Sequence, residues 1–202
     1  MFEDLLAQPG VEEVSELRSR FGLMALHGGN LERGTDVIAA EAAERAGASL
    51  YVVRQPPGLR WHVPSVAFDP AASPALAGFL DHVDVAVAIH GYGRPDMWTT
   101  LLVGGRNRPL AAALRAALEG GLGQGFQVED EVERIPRPLR GQHPRNPVNL
   151  PRGAGAQLEL PPRVRPGTGA PTFRPDYQEA VTAALAVVAS SGGGRFLRTG
   201  GE

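Results

Sequence analysis

Cysteine is absent from the 202 residues, and so is lysine. Without a thiol, disulfides, thiolate-held metals and cysteine nucleophiles are all excluded. Any transition-metal site has to be assembled from histidine and carboxylate. Arginine supplies all 20 basic residues, and in a chain so rich in Ala and Gly this reflects GC-rich coding rather than a function. An excess of positive charge is missing too: the formal net charge is -2, which gives no support to a nucleic-acid-binding surface. No apolar run approaches the roughly 18 residues that a membrane span needs. The opening Met1-Phe2-Glu3-Asp4 is acidic and lacks the basic stretch and apolar core of a signal peptide. A cytoplasmic protein that binds neither nucleic acid nor membrane is therefore expected, although release by lysis would leave no mark on the sequence.

What is present is an ordinary globular composition, 43% hydrophobic and 21% charged, at a length that fits one domain over 1–202 with a tail fraying after about 192. Apolar runs of strand length alternate with helical patterns, which predicts an α/β fold with a largely parallel sheet. Strands are expected at 21–26, 50–53, 84–89, 99–103 and 157–160, with a further possible strand at 126–128. From Thr35 the pattern turns helical: Thr35 can cap, Ile38, Ala42 and Ala46 share a face, and Gly47 closes the helix. Helices are also expected at 110–118 and at 176–189, the latter with Val181, Leu185 and Val188 as its apolar stripe. Residues 120–155 are rich in Pro, Gly and Arg and show little periodicity, as a functional loop or a disordered segment would.

Two strand ends carry chemistry. The first expected strand runs into Leu26-His27-Gly28-Gly29-Asn30-Leu31-Glu32, and the strand at 84–89 runs into His90-Gly91. In an α/β sheet, ligands bind beyond the carboxyl ends of the strands. The paired glycines let the chain turn sharply enough to bring Glu32 back beside His27. Two His, one carboxylate and a position left for water form the ligand set of hydrolytic zinc. Taken singly, a His at a strand end is more often a hydrogen-bonded structural residue. As a pair, both ending buried strands before glycine, His27 and His90 are equally readable as ligands. His62 and His82 have no such setting and read as structural, and His143 reads as an exposed loop residue.

The segment from His27-Gly28-Gly29 through Glu32, Gly34 and Thr35 resembles the opening motif of the poly-gamma-glutamate hydrolase family. Further matches follow in order: Ile89-His90-Gly91, Val103-Gly104-Gly105, Asn146-Pro147-Val148-Asn149 and Gln157-Leu158-Glu159-Leu160. The likeness runs from about residue 21 to 165. It implies a three-layer α/β/α fold around a mixed sheet, like that of the zinc carboxypeptidases, and a Zn2+ cofactor held by His27, Glu32 and His90. It also places Glu159 as the general base and acid that takes a proton from the attacking water and returns it to the leaving amine. A carboxylate in so apolar a strand has to be partnered, functional or on a solvent-facing edge.

The implied activity is hydrolysis of γ-glutamyl amide bonds, with a γ-glutamyl polymer as the partner molecule. A related zinc amidohydrolase acting on small N-acyl amino acids or cell-wall peptides is the alternative, as is a non-catalytic binding protein on the same scaffold. A substrate rich in carboxylates should meet arginine, whose planar fork binds them in pairs. Arg152, between Asn149 and Glu159, is the first candidate, with Asn146 and Asn149 as neutral partners and Arg33 and Arg94 as second choices. The long 120–145 segment departs from the family pattern and could cover or reshape the substrate groove.

Overall fold

A computed structural model describes residues 1–167 and 173–197. The strands are β1 (Glu12–Glu16), β2 (Phe21–Gly29), β3 (Ser49–Gln55), β4 (Val85–Gly91), β5 (Thr100–Gly105), β6 (Gln127–Glu129) and β7 (Gly155–Leu160). The α-helices are α1 (Phe2–Leu6), α2 (Thr35–Ala46), α3 (Pro74–His82), α4 (Arg108–Leu122) and α5 (Pro175–Ser190). One seven-stranded sheet has the order β1-β3-β2-β4-β7-β5-β6. Its centre, β3-β2-β4-β7, is parallel throughout, so the carboxyl ends of β2, β4 and β7 share one edge. β1 and β5 run antiparallel to their neighbours β3 and β7, and β6 runs parallel to β5, so the sheet is mixed.

The central strands read as continuous apolar runs because each is covered on both faces. Leu23, Ala25, Val87, Ile89 and Leu158 pack with residues of α2, α4 and α5 on one face. Met24, Leu26, Ala86 and Ala88 pack with residues of α1 and α3 on the other. The result is the expected α/β/α sandwich. Local signals start the helices: Ser73 accepts the Leu76 N–H ahead of α3, and Asn107 accepts the Leu110 N–H ahead of α4, each at 3.0 Å and each with proline in the first turn. No helix among the described residues is long and apolar enough to cross a membrane.

Three elements escape the sequence pattern. β1 carries a single apolar residue, Val14, and is a strand because it pairs along β3; its glutamates mark it as a charged edge. α1 and α3 are short. Two local expectations also change. Thr35 is the first helical residue rather than the cap, a place taken by Gly34 in the left-handed region (φ 87°), and the Thr35 hydroxyl donates to the Glu32 carbonyl at 2.8 Å. The tail does not fray directly after Gly192: Phe196 is buried, its ring 6.3 Å from that of Phe21.

Candidate metal centre and active site

His27 reaches the site through a β-bulge. Ala25 pairs with Val52 and Gly28 with Arg54, so β2 spends three residue steps where β3 spends two. The extra residue cancels the alternation of the strand, and Leu26 and His27 both turn to the α1/α3 face. Leu26 packs in the core there, and the His27 ring lies 5.7 Å from the ring of Phe68. Gly29 then adopts φ +69° with the Gln55 carbonyl oxygen 2.2 Å from where a Cβ would stand, so no other residue fits this turn. The chain folds back, the Glu32 N–H donates to the His27 carbonyl at 2.9 Å, and the Glu32 carboxylate arrives beside the imidazole.

His27 Nδ1 lies 2.8 Å from Glu32 Oε1, His90 Nδ1 lies 3.3 Å from Glu32 Oε2, and the two Nδ1 atoms are 3.3 Å apart. His27 Nε2 meets the Val63 carbonyl at 2.8 Å. A carbonyl only accepts, so Nε2 carries the hydrogen, and a neutral His27 turns its Nδ1 lone pair toward a carboxylate oxygen. Two lone pairs at that distance need positive charge between them. A proton serves one such contact, whereas a metal ion serves all three residues at once. Tetrahedral coordination with bonds of about 2.0–2.2 Å separates donors by about 3.3–3.6 Å, close to the spacings found. The donor atoms of all three residues lie within 4.8 Å of one another. The Val63 carbonyl supplies the outer hydrogen bond that fixes a ligating imidazole. The three residues therefore fit a divalent ion such as zinc.

The electrostatics agree. Burial pushes the Glu32 carboxyl up, but His27 and His90 outweigh it and hold it well below the usual carboxylate range. Its Oε2 also accepts the Gly91 N–H at 2.9 Å, which ties it to the end of β4.

Glu159 pairs in register with His90 on the adjacent parallel strand, so both side chains rise from the same face, on strands about 4.8 Å apart. It is 4% exposed, and burial pushes its carboxyl up to about 7, against the pull of His90. A relay of amides orients it. Asn146 Nδ2 donates to Gln157 Oε1 at 2.8 Å, and Gln157 Nε2 donates to Glu159 Oε1 at 2.8 Å, leaving Oε2 without a donor among the described residues.

These residues form the floor of a cavity of about 870 Å³. One wall is the segment after β3, including Arg60, His62 and Ser65. The other is the stretch from Val132 to Asn146, with Arg137, Arg140 and His143. That proline- and arginine-rich stretch is thus a shaped wall. The Gly104-Gly105 pair explains how it is held: the Arg140 carbonyl oxygen accepts from Gly105 N–H at 2.8 Å and sits 2.2 Å from where a Gly104 Cβ would be.

The structure brings together His27, Glu32, His90, Glu159 and Asn146, and it separates the other candidates from them. Arg152 is a correction. It pairs with Asp84 at 3.0 Å, at the amino end of β4, whereas His90 stands at the carboxyl end. A residue just before a parallel strand lies at the edge opposite the site. Asn149 is a loop staple, donating to the Gly141 and His143 carbonyls. Arg33 binds the Asn30 side chain and the Gly167 carbonyl in a separate groove, and Arg94 is exposed on the loop after β4; neither lines the cavity.

Sequence reasoning passed over Gln157, although its place two residues before Glu159 sets both on one face of a strand. It passed over His62, whose ring lies 4.9 Å from that of His27. Buried Arg165 gave no signal. Its guanidinium donates to the carbonyls of Leu160, Arg33 and Tyr92, joining the three segments that leave the site.

A mixed α/β sheet with a His-Glu-His donor set and a buried carboxylate at one edge of its parallel centre defines a metallohydrolase-like protein. The sequence profile described as poly-gamma-glutamate hydrolase matches residues 2–168, and the chain belongs to that family. A curated relative, the SPbeta prophage-derived UPF0714 protein YoqZ of Bacillus subtilis (strain 168), is 31% identical over 150 residues, 72% of this chain. The chain spans about half the length of that relative, the aligned part covering 50% of it. The solved structure of a bacteriophage poly-gamma-glutamate hydrolase is similar with a TM-score of 0.67 at 26% identity, over 91% of this chain and 93% of the other. A structure titled YNDL-apo (Zinc-free) shares the fold with a TM-score of 0.71 at 23% identity, over 88% of each chain. The fold is the zinc carboxypeptidase-like one.

Proposed function

We propose that the protein is a zinc-dependent amidohydrolase that cleaves γ-glutamyl amide bonds in poly-γ-glutamate. The observation that carries this is the convergence of His27, Glu32 and His90 on one point beside Glu159, on the floor of a cavity large enough for several residues of a polymer. His27, Glu32 and His90 would hold the ion, which when bound supplies Lewis acidity to polarise the amide carbonyl and make a water more acidic. The residues of the chain do the rest. Gln157 and Asn146 hold Glu159 through its Oε1 at the cavity floor, where the carboxylate takes the proton from the attacking water and later gives it to the leaving amine.

Membership of the poly-gamma-glutamate hydrolase family and the likeness to the bacteriophage enzyme support the substrate. The test is to load the purified protein with zinc, incubate it with poly-γ-glutamate and follow polymer length by gel filtration. Shortening that a chelator abolishes is expected. An unchanged polymer alongside rapid hydrolysis of small N-acyl amino acids would replace the polymer with the small-amide alternative.

A further inference from the structure

The cavity holds two cations that the chemistry on its floor does not use. Among the described residues, Glu32 and Glu159 are the only acidic ones lining it, and both lie at the floor. Their two negative charges would be no more than cancelled by a divalent ion, so an anionic ligand must find its attraction on the walls. Arg140 cannot supply it, because its guanidinium is committed to the Ile135 and Glu133 carbonyls. Arg60 stands on one wall and Arg137 on the other, both exposed. Nine other arginines meet carboxylates, among them Arg18, Arg20, Arg45, Arg54, Arg115 and Arg152. Arg60 and Arg137 have no ion-pair partner among the described residues.

Neither arginine sits on a loose loop. The residue after Arg60 is clamped by a buried glutamine: Gln55 Nε2 donates to the Trp61 carbonyl and the Trp61 N–H donates to Gln55 Oε1, both at 2.8 Å. Two residues on, the Val63 carbonyl is fixed to His27. Arg137 stands between Pro136 and Pro138 at the start of a 3-10 turn whose far end is the Arg140 carbonyl docked on Gly105. Both guanidinium groups thus hang from backbone held in place relative to the donor set. Such placement favours rigid carboxylate binding, with less ordering entropy to lose on contact.

We propose that Arg60 and Arg137 are specificity-determining residues that bind the free α-carboxylates on the two sides of the scissile amide, one from each wall. The proposal rests on the γ-glutamyl hydrolase reading of the cavity. It makes the preferred substrate one that is anionic on both sides of the cut, as the interior of a γ-linked polymer is and a small N-acyl amino acid is not.

The experiment uses a γ-glutamyl tetramer with free α-carboxylates and two analogues. In each analogue one α-carboxylate flanking the central bond, on the acyl or the amine side, is a carboxamide. Zinc-loaded wild type, Arg60→Gln and Arg137→Gln are compared on all three. Each variant should lose about tenfold to a hundredfold in kcat/KM on the all-acid tetramer, the scale of a hydrogen bond to a charged group, mainly through KM. Each should lose little further on one analogue, and the two variants should differ in which analogue that is. Wild-type kcat/KM in both variants, or equal losses on all three substrates, would overturn the proposal. Binding of the uncut tetramer to metal-free protein, measured by calorimetry, separates the two levels. If the wild type cleaves none of the three, the hydrolase reading fails, and weaker binding by both variants would still support the arginines as carboxylate sites. Unchanged binding in both would remove that support as well.

Discussion

Glu159 is the residue that moves the proton in the proposed mechanism, and its burial beside His90 gives two separate predictions. Replacement by Gln keeps size and the hydrogen bond from Gln157 while removing the base. The Glu159→Gln protein should bind zinc with wild-type stoichiometry, measured by metal analysis after dialysis, and lose about 10²–10⁴ in turnover. Wild-type turnover would reassign the carboxylate to structure. The second prediction concerns stability without metal. A carboxyl raised from 4.5 to about 7 in the fold stabilises the protein fully below the unfolded value, and that contribution is lost as pH rises through about 7. Gln has no such loss. The melting temperature of metal-free Glu159→Gln, relative to metal-free wild type, should therefore climb between pH 5 and pH 8. A difference that stays flat or falls over that window would mean that burial does not set the ionisation of this group.

At the scale of elements, strand ends and the loops leaving them were unequally readable. β2, β4 and β7 are legible because strands covered on both faces are runs of apolar residues, and a His or Glu at such a place stands out. The bulge in β2 is not legible. Strict alternation sends His27 to the wrong face, and only the register against β3 shows the extra residue. Nor does periodicity reveal the wall from Val132 to Asn146, which is held by carbonyls docked on glycines rather than by an apolar stripe. Gly104 is the pivot of that docking. In Gly104→Ala the new methyl group would collide with the Arg140 carbonyl oxygen, so the wall must lift. Zinc content should stay at the wild-type level while KM for poly-γ-glutamate rises severalfold. Unchanged KM would mean that the wall does not touch substrate.

Across the whole molecule, parallel strands sort function by edge, and here proximity in sequence misleads. Arg152 lies seven residues from Glu159 in the chain, yet the length of β7 carries it to the far edge, where it meets Asp84 with Arg20. Arg60 and Arg137, distant in sequence, face the same cavity because the segments after β3 and β6 both fold over it. Arg152→Ala should then cost about 1 kcal/mol of stability, because Arg152 is exposed and the buried Asp84 keeps Arg20 as a partner, and leave KM for the polymer unchanged. A large rise in KM would mean that the substrate reaches an edge of the sheet remote from the donor set.

Metal dependence of polymer cleavage reports on the donor set itself. Poly-γ-glutamate is incubated with the protein after chelation and again after one equivalent of zinc is restored, and polymer length is measured in both. Metal binding by His27, Glu32 and His90 predicts a stable polymer in the first and short fragments in the second, with recovery saturating at one ion per chain. Equal cleavage in the chelated protein, or none in the zinc-restored protein, would contradict it.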